Sequence, residues 1–443
     1  MNRTAHQTES PRRARGASSM PTAVVMCGGG HGAYDIVRSL GRAGIASAVF
    51  ASHPADVALR SRYVERSLLL PEFREWNFSD ILRRVSAFGA QCPDRPVLFY
   101  VGDSEIDFVS RNRHVLNRWY RFVLPADRIL RAVMSKAQFI ELARKADLPV
   151  PASRTFADAI ELAAHIDTLS FPCIVKPAYN QDWFWETQEL SARFGDYKSA
   201  LRRFDRPADL HHFCAGLPPR RAGFIVQSYI DGLDEGLVSF HAYLDECSRC
   251  LGYFLTREIR TNPPTTGEST YCETIQDDVL ARASQVWLKR IGFRGIVKID
   301  YKWDAQALAY QMLEIEPHYQ TAHLLGACSG VNLAQVAYRH ARGEPVEVSG
   351  QCPNRVRLLD LPQDFKAYWK GYRKTNEWSA SRYLRSLFVG KKHHRLYNLH
   401  DPLPFLDCAF RYSVRKLRSL LVPARSSRRA RTANLNDQPS PAR

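Results

Sequence analysis

The stretch IVKIDYKWDAQALAYQMLEIEP, residues 296–317, decides the reading of the whole chain. Its halves, IVKIDYKWD (296–304) and AYQMLEIEP (309–317), alternate apolar and polar residues, the period of half-buried β-strands. Residues 304–308 supply the turn. Val297, Ile299, Tyr301 and Trp303 fall on one face, with Leu313, Ile315 and Pro317 on the matching face of the partner strand. Lys298, Asp300 and Lys302 fall on the other face, with Met312, Glu314 and Glu316. Positions 300 and 314 are equidistant from residue 307, so simple register sets Asp300 opposite Glu314 and Lys298 opposite Glu316. Three carboxylates held together need a cation between them. A hard divalent ion such as Mg²⁺, which takes oxygen ligands and shares its shell with phosphates, is the natural neutraliser. Taken alone, the pattern equally fits the solvated face of a surface hairpin, with Lys298 and Lys302 pairing the acids.

Working outward, TAVVMCGGGHGAYDIVRSLGRAGIASAVFAS (22–52) reads as strand, glycine loop, helix and strand, the opening of a doubly wound α/β unit. GGGHG (28–32) can bring a phosphate to a helix N-terminus or serve only a tight turn and close packing; its spacing favours the structural role. RSLLL (66–70) and PVLFYVG (96–102) are further strands. Residues 104–146 are mostly helical, with a strand-like FVLPA (122–126). From 147 onward helices mix with antiparallel strands: FPCIVKPA (171–178), GFIVQSYIDG (223–232), and LVSFHAYLD paired with CLGYFLTREI about a turn at 245–249. DDVLARASQVWLKRIG (277–292) is a helix ending on Gly292. Beyond about 350 the chain turns basic and aromatic and reads as amphipathic helices.

These pieces together resemble the ATP-grasp superfamily, where an acid on one strand and Glu-x-Asn-Pro or Glu-x-Glu-Pro on the next bind Mg²⁺. The resemblance covers roughly 22–345 and is closest to carboxylate–amine ligases of the D-aspartate-ligase or carbamoyl-phosphate-synthase-like type; DLPVP, the RxxR–Pro-Pro–Gly run and DPLPF (401–405) carry it further. It implies α/β and α+β architecture: a Rossmann-like pre-ATP-grasp domain at 21–130 and an ATP-grasp domain at 131–350. The latter comprises a small α+β lid and a C-terminal antiparallel-sheet α+β part. A helical extension would cover 351–423, between basic tails at 1–20 and 424–443.

The same resemblance makes Asp300, Glu314 and Glu316 metal ligands. SKAQFIELARKADLPVPASRTF makes Lys136 a phosphate contact, and Lys176 in FPCIVKPA another. FIVQSYIDGLDEG becomes the hinge over adenine at Gln227, Ser228, Tyr229 and Ile230, with Asp234 at the ribose. TREIRTNPPTTGEST nominates Arg257 and Arg260 as catalytic. Three departures stand out: Glu316 replaces the common Asn, Ser228 replaces the usual hinge Glu, and His318 stands where an arginine often follows. The missing arginine's role then falls to Lys298, Arg257 or Arg260. The loop after Lys176 holds Trp183 and Trp185, as a lid or as an anchor.

The implied activity is an ATP- and Mg²⁺-dependent joining of a small carboxylate to an amine through an acyl phosphate, with Mn²⁺ an alternative ion. Phosphorylation, thioester formation, and nucleotide binding without catalysis are the other readings. The formal charge of +17 concentrates at the ends, with +3 in residues 1–20 and +8 in 411–443. Such tails suit anionic lipid, RNA or an acidic partner, with none specified and no nucleic-acid-reading motif present. Ten cysteines scattered through core-like segments fit free thiols in a reducing cytoplasm. Cys247 and Cys250, the one CxxC, sit at the expected turn and read as turn residues ahead of a redox pair or half a zinc site. No apolar run approaches the ~20 residues of a membrane span.

Overall fold

A computed structural model describes residues 20–29, 32–178, 202–217, 223–265, 267–350, 352–375 and 377–421. The loop holding Trp183 and Trp185 lies outside the described residues, as do the basic tails at 1–19 and 424–443. Among the described residues no helix is long and apolar enough to cross a membrane.

Three sheets organise the described residues. β1 (Ala23–Cys27), β2 (Ser47–Ala51), β3 (Val64–Leu69) and β4 (Val97–Tyr100) form a parallel sheet in the order β3-β2-β1-β4. β1, β2 and β4 are buried at every position, as expected of strands covered on both faces. FVLPA, expected as a strand, is instead an extended connection joined to β4 through a single bridge, Val97 to Arg121. It is committed elsewhere: the Val123 carbonyl accepts from Tyr100 Oη at 3.0 Å. A Cβ on Gly295, whose φ is +83°, would lie 2.5 Å from that same oxygen, so the connection is clamped between two sheets.

β5 (Ser153–Phe156), β6 (Cys173–Pro177), β7 (Arg202–Phe204) and β8 (Phe224–Ser228) make a small antiparallel sheet ordered β5-β8-β6-β7. Helices Ala159–His165 and Pro207–Ala215 cover it, burying Leu162, Leu210 and Phe213 against Phe156 and Val226.

The third sheet comprises β9 (Leu237–Leu244), β10 (Cys250–Asn262), β11 (Glu268–Ile275), β12 (Gly295–Asp304), β13 (Ala309–Glu316), β14 (Ser349–Gly350), β15 (Arg357–Leu359) and β16 (Lys392–His394). Its order is β13-β12-β9-β10-β11-β15-β16, with β14 beside β10. The helix Asp278–Ile291 packs on one face. Asp277 caps its start by accepting from Leu280 N at 2.9 Å, and left-handed Gly292 ends it. The β9–β10 turn is built on Asp245, which accepts from Cys247 N at 2.9 Å and Arg249 N at 2.8 Å. Cys247 and Cys250 are free thiols there.

Beyond 350 the chain is not helical throughout, as the sequence suggested. β15 and β16 extend the large sheet because Leu358 and Leu359 bury opposite faces against two separate apolar clusters. The parallel and large sheets share one core: Tyr319 and the helix Leu333–Ala341 pack with Phe99, Tyr100, Tyr243 and Phe254. DPLPF closes onto the first unit, where buried Asp401 accepts from Ser61 Oγ at 2.6 Å and Arg62 N at 2.9 Å.

Candidate functional site

β12 carries the chemistry because it lies between β13 and β9. Asp300 pairs with Glu314 and Lys298 with Glu316, the register that the alternation gives. A β-bulge follows: Tyr301 pairs with Met312, so Leu313 is the extra residue. Met312 is thereby turned off the carboxylate face and into the core beside Tyr301, Ile299 and Ile315. The sequence placed Met312 with the acids; the bulge reverses its side.

Asp300, Glu314 and Glu316 each offer an oxygen within 4.8 Å of the others. Lys298 Nζ sits between two of them, donating to Asp300 Oδ2 at 2.7 Å and Glu316 Oε2 at 3.0 Å. Against the penalty of burial, those two charges hold its ammonium well above the ordinary lysine value. Ser239 Oγ on β9 donates to Asp300 Oδ1 at 2.5 Å and fixes that carboxylate. Glu314 finds no hydrogen-bond donor among the described residues. Crowding at the cleft, then the charges of Glu316 and Asp300, push its carboxyl up to about 7. Three hard oxygen donors with one carboxylate unneutralised fit a divalent cation such as Mg²⁺.

Across the cleft, Lys176 on β6 donates from Nζ to Gln227 Oε1 at 2.9 Å, and Gln227 Nε2 donates to Ser153 Oγ at 3.1 Å. Burial lowers the Lys176 ammonium to about 8; Glu314 opposes that shift and Lys136 adds to it. Lys136, first residue of the helix Lys136–Ala146, is also lowered by burial, with Glu314 and Asp103 opposing. Both ammoniums thus feel the Glu314 charge, each from a separate element. An array of acids backed by Lys298, facing two further lysines, suits a polyphosphate–metal complex.

No family model matches the chain. The D-aspartate ligase of Enterococcus faecium (strain Aus0004) is 22% identical over 250 residues, 54% of this chain and 57% of that protein. The chain thus spans little more than half the length of that curated relative. N5-carboxyaminoimidazole synthetase from Staphylococcus aureus, solved with ADP, superposes with a TM-score of 0.55 at 13% identity, over 75% of this chain and 80% of that one. The biotin carboxylase domain of Hydrogenobacter thermophilus 2-oxoglutarate carboxylase, solved with MgADP, gives 0.53 at 14% identity, over 75% and 72%. The chain has the ATP-grasp fold.

Within that ATP-grasp frame the remaining residues divide. At the hinge, Ser228 N bonds to Ala152 O at 2.9 Å and Tyr229 N to Pro172 O at 3.1 Å. The Arg203 guanidinium lies 4.2 Å from the Tyr229 ring centroid, and Ile230 is half-buried beside it. Asp234 is not presented to a ribose. It is buried and accepts from Thr265 N at 2.8 Å, Thr261 N at 3.2 Å and Tyr372 Oη, tying the 261–265 loop to the C-terminal segment. Lys302 is not paired with the acids either; it donates to Gly232 O at 2.8 Å and Leu233 O at 2.7 Å.

The two arginines expected at the reaction are elsewhere. Arg257 shares a row with Val238 and Tyr301, on the face opposite Asp300, and donates to Glu273 at 2.5 Å. Arg260 is fully buried; it makes a two-pronged pair with Asp364, both bonds 2.8 Å, among Tyr271, Trp378 and Tyr383. Lys298 is the cation of that set that remains in the site. His318 turns toward Asp103, 3.5 Å away, rather than toward the hairpin carboxylates.

Four features escaped the sequence reading. Ser239 and His241 are polar positions of alternating β9, and that alternation could have flagged them. Glu258 accepts from Ser269 Oγ at 2.6 Å; burial pushes its carboxyl up to about 8, with Asp300 adding and Lys298 opposing. His323 is buried beside His241, their ring centroids 5.4 Å apart. Glu105 fills the glycine loop, accepting from Gly28 N, and a Cβ on Gly28 or Gly102 would lie 2.9 or 2.7 Å from its oxygens. A protein carboxylate is thus packed against Gly28 and Gly102.

Proposed function

We propose that the chain is an ATP- and Mg²⁺-dependent ligase that joins a carboxylate to an amine, releasing ADP and phosphate. The observation that carries this reading is the convergence of Lys136 and Lys176 on a carboxylate trio held by Lys298, in a chain with the ATP-grasp fold. The D-aspartate ligase relative supports the class of bond formed.

In this reading Asp300, Glu314 and Glu316 hold Mg²⁺, with Mn²⁺ an alternative; the ion supplies charge neutralisation at the phosphate oxygens. Lys176 and Lys136 bind the phosphates, and Gln227 keeps the Lys176 ammonium aimed. The segment Gln227–Ile230 flanks the base. A carboxylate oxygen of the substrate attacks the γ-phosphorus and the bond to ADP breaks, giving an acyl phosphate. The amine nitrogen then attacks the acyl carbon, phosphate departs, and the nitrogen gives up a proton. Positioning and fixed charge supply most of the rate. With Arg257 and Arg260 withdrawn, Lys298 is the one of the three nominated cations left beside the acids to stabilise the transferring group.

The test is a matrix of small acids and amines assayed for ADP and free phosphate. Release of both, dependent on both substrates, is the expected result. Phosphate retained on the product would replace the ligase by a kinase. Binding of Mg-ATP with no ADP formed from any metabolite pool would leave a nucleotide-binding protein.

A further inference from the structure

The segment that ends the large sheet presents a surface the nucleotide site does not use. The helix Leu361–Ala367 runs through a π-turn at Tyr368–Tyr372 into Arg373–Thr375. Its inner side is committed: Asp364 pairs with Arg260, and Ala367, Tyr368 and Tyr372 are buried. Its outer side carries Leu361, Phe365 and Trp369, four residues apart and 45%, 54% and 54% exposed. The Phe365 and Trp369 rings stack with centroids 6.1 Å apart. With Leu384, also 54% exposed, they line a groove of about 470 Å³. Phe388, one turn beyond Leu384, is 85% exposed. Contiguous large apolar side chains held in water mark a surface that meets something.

Charge identifies what it meets. Residues 361–392 hold eight Lys or Arg and two acids. One acid, Asp364, is spent internally on Arg260, which leaves Glu377. Lys366, Lys370, Arg373, Lys374 and Arg385 are all exposed around the groove. The Arg373 guanidinium lies 4.2 Å from the Trp369 ring centroid, so cation and aromatic ring stand at one level. Aromatic side chains at that level favour the headgroup boundary of a bilayer, and lysines and arginines beside them favour anionic headgroups. Protein–protein interfaces are depleted in lysine, which abounds here.

We propose that the face formed by Leu361–Lys392 docks the protein on an anionic lipid surface. This stands apart from the ligase reading, since none of these side chains is placed in the nucleotide site. The experiment is co-sedimentation of the full chain with vesicles of phosphatidylcholine alone or mixed with phosphatidylglycerol. Binding to the mixed vesicles and not to the neutral ones is expected. Phe365→Asp with Trp369→Asp should weaken it at least about tenfold, and Lys366→Glu with Lys370→Glu should weaken it likewise. All four positions are exposed; should one pair disturb the circular dichroism, the other decides. No binding to the anionic vesicles, or binding by both variants equal to that of the wild type, as the basic ends of the chain acting alone would give, overturns the proposal.

Discussion

Among the described residues, Glu314 is the carboxylate of the trio with no cation bonded to it, and Lys298 serves the other two. Lys176, on another sheet, feels the same carboxylate, and burial lowers its ammonium to about 8. A metal ion would complete the charge of Glu314, and a phosphate that of Lys176. Lys176→Ala and Glu314→Ala are each expected to lower ATP-dependent turnover by at least about 10²-fold, the scale of losing one preorganised charge. The circular dichroism should stay unchanged; wild-type turnover in either variant would break the assignment. Arg257 and Arg260 behave differently. Arg257→Gln is expected to leave turnover near wild type. Arg260→Gln strands buried Asp364 and should cost about 3–5 kcal/mol in urea unfolding. Unaltered stability in that variant would show that the pair with Asp364 does not hold the C-terminal segment.

At the scale of elements, the hairpin register was legible because two alternating strands about a short turn specify it. The bulge at Leu313 was not, since one extra residue shifts the phase with no glycine or proline to announce it. For the same reason the face of β10 was hidden. Which of Arg257 and Glu258 looks into the cleft depends on the Asp245 turn and on a register shift between Cys250 and Gly252. Alternation within one strand carries no sign of a bulge that shifts its phase against its neighbour. The Asp234 role failed differently, because its partners Thr261, Thr265 and Tyr372 are distant in sequence. β9 also sets His241 beside His323, the first residue of the helix His323–Cys328, as a buried imidazole pair. Burial lowers His241 well below the ordinary histidine value and His323 to about 3. The unfolded chain takes up protons near the usual value of about 6.5, the folded chain only near the lower one, so these groups remove stability as pH falls through that window. The slope is at most about 1.4 kcal/mol per pH unit for each imidazole. His323→Phe should flatten the loss of urea stability between about pH 6 and pH 4 relative to wild type. An unchanged slope would mean that His323 is charged when folded.

Across the whole molecule, the proposed nucleotide site is assembled from elements of two different sheets and a helix. The small sheet brings Lys176 and Gln227, the helix at Lys136 approaches from the side, and the large sheet brings the acids. The order of these parts along the chain made the fold legible before any side chain was placed. The substrate side was not legible, because the loops and strand faces that shape it have no local signature. At the glycine loop, Glu105, far along the chain, accepts from Gly28 N, a contact that no local pattern announces. The most direct measurement is calorimetric binding of ATP, with Mg²⁺ and with EDTA, to the wild type and to Glu314→Ala with Glu316→Ala. The expected result is tight binding that depends on Mg²⁺ in the wild type, and binding in the variant that is weak and indifferent to the metal. Equal Mg²⁺ dependence in both proteins would contradict a metal–nucleotide site on this hairpin.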